Sequence, residues 1–170
     1  MNIFVLDANP VEAARMMCDK HIPKMVVETA QMMASALRRH GATDDIMPLA
    51  KTTGRPYKGG YHHHPCTVWC GESQMNYLWL AEHGRTLSAE YTMRFGKIHA
   101  CSYAIQHMEQ YYEMIPVGIL TEFAQAMPDD FKVRGDAVSA YRNYYSNDKR
   151  RFASWKKGTP TPQWWETMED

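Results

Sequence analysis

Between Ser73 and Gly96 lies a stretch with no proline in which apolar residues recur at helical spacing, and it constrains the fold more than any other part of the chain. Ser73 is a residue type that caps a helix start, and Gly96 is one that stops a helix. The run from Gln74 to Phe95 is therefore expected to be one long amphipathic helix with Tyr77, Leu80, Ala81, Leu87, Tyr91 and Phe95 inward. On the same run Asn76, His83, Glu90 and Arg94 are spaced 7, 7 and 4 apart and form a polar stripe that Lys97 continues, with His99 just beyond. Facing inward, that stripe would line a polar cleft, with Arg94 suited to bidentate phosphate or carboxylate binding. Facing outward, it is a solvated face with Glu90 and Arg94 paired. Periodicity leaves both open.

A second helix is expected from Pro23, a residue that suits a first helical turn, to a stop at His40-Gly41. Ile22, Met25, Val26, Thr29, Met33, Ala36 and Leu37 make its buried stripe, with Lys24, Glu28, Gln31, Ser35 and Arg38 on the other side. Before it, Asn2 to Leu6 is short and extended, a pinned terminus that Asp7-Ala-Asn-Pro10 turns into a short helix reaching toward Cys18. Glycines and prolines make 42–65 a loop able to cross over or cover a site. Further helix is expected over Lys97–Tyr112 and over Ala137–Trp155 with a break near Ser146-Asn147, while Pro116, Gly118 and Pro128 interrupt Ile115–Asp130. With 170 residues, no repeat and no linker, the expectation is a mainly α, single-domain fold over 1–170 with a short extended N-terminal segment.

Equal numbers of basic and acidic residues, 19 each, remove any whole-molecule argument for a polyanionic partner. Locally the balance differs. Residues 136–158 hold Arg142, Lys149, Arg150, Arg151, Lys156 and Lys157 against Asp136 and Asp148, a local +4, interleaved with Tyr141, Tyr144, Tyr145, Phe152 and Trp155. That mixture suits a surface that tracks a nucleic-acid backbone and stacks bases, or else a core with solubilising cations over it. Glu166, Glu169 and Asp170 then form an acidic tail.

The densest polar group is Asp19-Lys20-His21 with Lys24 and Glu28. It would hold a phosphate at a helix start, with His21 as acid or base and Glu28 reaching the same face, or it is a capped helix start in which His21 pairs with Asp19. Tyr61-His-His-His64-Pro65, with Cys66 and Cys70 after it, raises a zinc alternative using His62, His64 and Cys66. Adjacent histidines and a CxxxC spacing do not match the usual paired ligands, so His64 is expected to be structural or to contact substrate, and neither metal nor cofactor is expected. The cysteines are expected to be reduced core residues. No apolar stretch approaches the roughly 20 residues that cross a bilayer, and the start does not resemble a signal peptide, so the expectation is a cytoplasmic protein.

Two segments resemble a known family. Ala13 to Met32, centred on His21-Ile-Pro-Lys-Met25, resembles the catalytic helix start of the small phage-type pyrimidine-dimer DNA glycosylases of the endonuclease V kind. Gly60-Tyr-His-His-His64-Pro65 through Glu90-Tyr-Thr-Met-Arg94-Phe-Gly96-Lys97 resembles that family's turn, long helix and terminal motif. The chain also looks like a group of tailed-phage proteins that begin MNIFVLD, which would place it in a host cytoplasm and brings no activity with it. The glycosylase resemblance implies a helical fold, DNA as substrate, and an N-terminal amine, exposed after Met removal, that forms a Schiff base at the sugar with help from a glutamate at the catalytic helix start. Two positions depart from that pattern. His21 stands where the glutamate would be, and Asn2 is too large for efficient removal of Met1. An amine at Met1 would still attack if it reached the site, because terminal amines with pKa near ~8 are partly free at neutral pH.

The functional expectation is a DNA-acting enzyme working at a pyrimidine base or glycosidic position. His21, Glu28 and Glu90 would be catalytic, and Lys20, Lys24, His64, Asn76, Arg94, Lys97, His99, Arg142 and Lys149 would hold phosphate or nucleic acid. Two alternatives are an amino acid:DNA transferase of thymine hypermodification and a non-catalytic phage protein that binds a nucleotide or host factor.

Overall fold

The computed structural model describes residues 1–167 and is mainly helical. The helices are α1 (Pro10–Arg15), α2 (His21–Arg39), α3 (Pro65–Cys70), α4 (Gln74–Phe95), α5 (Ser102–Glu109), α6 (Ala137–Asp148) and α7 (Gln163–Glu166), with 3-10 turns at Tyr112–Met114 and Asp129–Phe131. Among the described residues there is no strand, only an isolated antiparallel bridge between Leu49 and Pro56. None of the described helices is long and apolar enough to cross a membrane. Glu169 and Asp170 of the acidic tail lie outside the described residues.

Helix α4 is the central element, packed on α1, α2, α3 and α5. Its start is capped as expected, with Ser73 Oγ accepting from the Asn76 N–H at 3.1 Å, and Gly96 takes the left-handed conformation at its end. The amphipathic reading was incomplete. Tyr77, Leu80, Ala81 and Leu87 are buried, but so are Asn76, His83, Glu90 and Arg94. The polar stripe faces the protein, because neighbouring elements cover α4 on that side as well. At Gly84 an added Cβ would sit 2.6 Å from Thr29 Cγ2 and 3.2 Å from Ile105 Cδ1, so the missing side chain is what lets α2 and α5 close on α4.

Helix α2 buries its whole expected stripe and, in addition, Glu28 and Ser35. Ser35 Oγ donates to Gly60 O and accepts from Gly60 N, tying the 42–65 loop to the helix. Gly59 is required there: φ is +77°, and a Cβ would lie 2.2 Å from Ser35 Oγ.

The terminal segment is buried from Asn2 to Leu6 but is not the extended stretch expected: Phe4 has φ +39°, the Leu6 N–H donates to Phe4 O at 2.8 Å, and the segment pairs with no strand. Its polar groups are satisfied by side chains instead. Asn2 Oδ1 accepts from the N–H groups of Ile3 and Phe4, Asn2 Nδ2 donates to Ala126 O, and Arg142 Nε donates to Leu6 O.

Helix α5 is shorter than the expected 97–112 because His99 claims the start of that stretch. Its Nδ1 accepts from the Cys101 N–H and its Nε2 donates to Pro23 O, which fixes 97–101 as a turn against α2. Helix α6 runs unbroken through Ser146-Asn147 and ends at Asp148 instead of reaching Trp155. The chain then returns to the start of α2, where the Asp19 N–H donates to Ser154 O and Trp155 Nε1 donates to Met16 O.

Candidate functional site

Helix α2 and the terminal segment run side by side in opposite directions. Phe4 stacks on His21 with ring centroids 4.6 Å apart, and the amine of Met1 lies 3.7 Å from Glu28 Oε2. Phe4 holds φ +39°, a left-handed conformation uncommon for an aromatic residue, where the segment lies against His21.

Glu28 is 8% exposed. Its Oε1 is 3.4 Å from the exposed Lys24 Nζ, while Oε2, turned to the amine, has no hydrogen-bond partner. His64 caps α3 by accepting the Cys66 N–H on Nδ1 at 3.1 Å, so a neutral ring carries its proton on Nε2. Burial, and then the positive charge of the amine, hold the His64 imidazole below its ordinary range, partly opposed by Glu28. Cys66, just behind, is pushed up to about 12 chiefly by burial. Amine, carboxylate, ammonium and imidazole thus share one electrostatic neighbourhood. An amine next to a carboxylate with a free oxygen can lose a proton to it and attack an electrophilic carbon.

The other predicted residues have different surroundings. His21 is enclosed by Phe4, Phe152 and Tyr145, and its Nδ1 pairs with the Tyr145 hydroxyl at 2.8 Å. Burial first, then Lys149, Lys24 and Lys20, lower its pKa to about 3. The ring is therefore neutral at physiological pH, and it packs under Phe4.

Arg94 and Glu90 meet the start of α2, but as a buried ion cluster without an open cleft. Nε of Arg94 donates to Glu90 and Thr159, Nη1 to Met17 O and Asp19 Oδ1, and Nη2 to Arg15 O and Glu90. All five donors of the guanidinium are used inside the protein. Thr159 also donates to Glu90 Oε2 at 2.7 Å. Asn76 donates to Trp69 O and to Thr121 and accepts from the Thr121 N–H, which clamps the 115–121 segment. His99 holds the turn described above. Arg142 lies 3.6 Å from Asp7 and over Trp164, and Lys149 donates to Tyr144 and pairs with Asp148. Lys20 sits over the Phe152 ring, and Lys97 is exposed. Within the basic aromatic segment Tyr141 and Tyr145 are core, while Tyr144, Phe152 and Trp155 are half-buried. Among the described residues no three His, Cys, Asp or Glu side chains converge on a point where a metal would be held.

Met1 was not among the expected site residues, although the family resemblance pointed to a terminal amine; the structure places that amine beside Glu28. A family model described as pyrimidine dimer DNA glycosylase matches residues 1–102. No curated protein and no solved structure matches the chain.

Proposed function

Because the chain belongs to the pyrimidine dimer DNA glycosylase family, we propose that it excises a damaged pyrimidine from DNA, with the Met1 amine as nucleophile and Glu28 as its proton acceptor. The observation that carries this reading is the amine held 3.7 Å from a buried carboxylate oxygen that has no other partner. In the reaction the amine nitrogen bonds to C1′ of the deoxyribose and gives up a proton to Glu28. The C1′–N1 bond breaks, and its electron pair leaves on the pyrimidine, which takes up a proton. Opening of the sugar at C1′–O4′, with O4′ taking the proton that Glu28 accepted, then leaves an iminium on Met1, and water hydrolyses it to an abasic sugar and the free amine. Lys24 lies where it offsets the phosphate charge of the entering strand. His64 is the nearby neutral N–H donor for the departing base.

The test is incubation of the purified protein with a duplex oligonucleotide that carries one pyrimidine dimer, with and without borohydride. The expected result is an abasic site at one pyrimidine of the dimer, read as alkali-sensitive strand scission because the severed base stays joined to its dimer partner, together with a reduced covalent adduct that peptide mapping places on Met1. Glu28→Gln is expected to slow single-turnover excision by roughly 10²-fold or more with unchanged folding, the scale of a positioned proton acceptor. Neither abasic site nor adduct, or an adduct on a lysine with Glu28→Gln fully active, overturns the proposal. Binding without turnover would favour the non-catalytic alternative.

A further inference from the structure

Beside the buried Arg94 cluster, the start of α2 and the 154–157 segment enclose a groove of about 540 Å³, lined by Asp19, Lys20, Pro23, Phe95, Ser154, Lys156 and Lys157. Its two walls are stitched through Asp19. The Asp19 N–H donates to Ser154 O at 2.9 Å, Oδ2 accepts from the Lys156 N–H at 2.7 Å, and Oδ1 accepts from Arg94 at 3.1 Å. The one carboxylate in the lining therefore has both oxygens engaged and is 7% exposed. The lysines are different: Lys20, Lys156 and Lys157 are all exposed. Lys157 lies 5.2 Å over the Phe95 ring and Lys20 lies 4.6 Å over Phe152, which Arg151 also approaches. Three ammonium groups are thus presented around a groove whose acid is already neutralised. From the groove, Lys20, Lys24 and Glu28 succeed one another along α2 at four-residue steps, about 6 Å of rise each, and Glu28 is the residue that meets the Met1 amine.

We infer that this groove is a binding channel for the phosphodiester backbone of the DNA strand on its way to the Met1 amine, with Lys156 and Lys157 supplying a wall that lies beyond the family-matched residues 1–102. The inference rests on the proposed excision reading for the strand's destination, not for the groove's ligand. Backbone contacts of this kind position a strand without reading its sequence, and their strength falls with salt as counterions are released.

The experiment is fluorescence anisotropy of an undamaged duplex titrated with the full chain at several salt concentrations. Lys156→Ala/Lys157→Ala is expected to lower the slope of log affinity against log salt by about 2, at ~0.9 per lost phosphate contact. The charge-matched control Lys51→Ala/Arg55→Ala, at exposed positions of the 42–65 loop, is expected to leave the slope unchanged. Equal slopes for both double variants overturn the inference. A second arm adds dTMP at millimolar concentration in a thermal melt: no shift is expected, and a stabilisation that the Lys156/Lys157 variant abolishes overturns the strand reading in favour of a mononucleotide pocket. Both side chains are exposed, and the single variant Lys157→Gln, with an expected slope loss of about 1, repeats the test should the double variant melt early. A groove-dependent slope in a protein that releases no base would leave this inference standing and remove the catalytic one. Normal excision at saturating DNA with an unchanged slope would do the reverse.

Discussion

Arg94→Lys separates two readings of the same side chain. In the fold the guanidinium is fully enclosed, its side chain 0% exposed, and it bonds to Glu90, Asp19, Thr159 and the carbonyls of Arg15 and Met17. A lysine keeps the positive charge but has three donors on a flexible stem, so at least two of the buried acceptors lose their partner. Each orphaned acceptor costs about 1–3 kcal/mol, and part of the charge attraction to the two carboxylates survives, so the expected destabilisation is about 2–4 kcal/mol. For a chain of this size that is a drop in Tm of about 5–15 °C and a large share of a typical stability of ~5–15 kcal/mol. Urea unfolding followed by circular dichroism measures it as a shift in midpoint at constant slope. An arginine that holds phosphate in an open cleft predicts the opposite, because Lys would serve there with stability changed by less than ~0.5 kcal/mol. Stability within that limit would refute the buried-cluster account.

Acid sensitivity follows from His21 and His83, both lowered to about 3 mainly by burial. The unfolded chain accepts a proton at each below about 6.5 and the folded chain does not, so their contribution is complete above that pH and is lost as pH falls toward 3. The unfolding free energy from urea titrations between pH 7 and pH 4 should fall by up to about 2.7 kcal/mol per pH unit once both groups differ, and His83→Phe should remove half of the slope. The same variant should stabilise at pH 7 as well, since neither ring nitrogen of His83 has a partner where it stacks on Trp79. Gly84→Ala should destabilise by about 1–3 kcal/mol in a thermal melt despite the better helix propensity of alanine, because the Cβ meets Thr29 and Ile105. Cys66 and Cys70, both raised by burial, should resist iodoacetamide at pH 8 until urea unfolds the chain.

The bounds of α4 were legible because its cap and its stop are local: one hydroxyl on a backbone N–H, and one glycine at φ +69°. The orientation of Asn76, His83, Glu90 and Arg94 was not, since a second face on a helix reads alike whether water or another helix lies against it. The turn at 97–101 escaped for a related reason. His99 stops the helix through a bond to Pro23, and no local propensity encodes a carbonyl so far away in sequence. The grouping of Lys24, Glu28 and His64 was partly visible as separate candidates. Their common centre, the Met1 amine, carries no side-chain signature at all.

The departures of this chain from the glycosylase pattern become intelligible through the register between terminus and helix. His21 and Glu28 are seven residues apart, two turns, and so lie on one stripe of α2. If the carboxylate beside the amine sits two turns further along, the amine must be carried the same distance, and a terminus that runs antiparallel to the helix from Phe4 on His21 to Met1 at Glu28 does this. The anchor of that register is Phe4 on His21, and a neutral imidazole suits the anchor better than a glutamate, because a ring buried between Phe4 and Phe152 stacks where a carboxylate would be desolvated. The other walls of that cage, Tyr145 and Phe152, come from beyond residue 102. The part of the chain that the family model does not match therefore helps to fix where the Met1 amine stands against α2, and an aromatic ring at position 21 suits that packing.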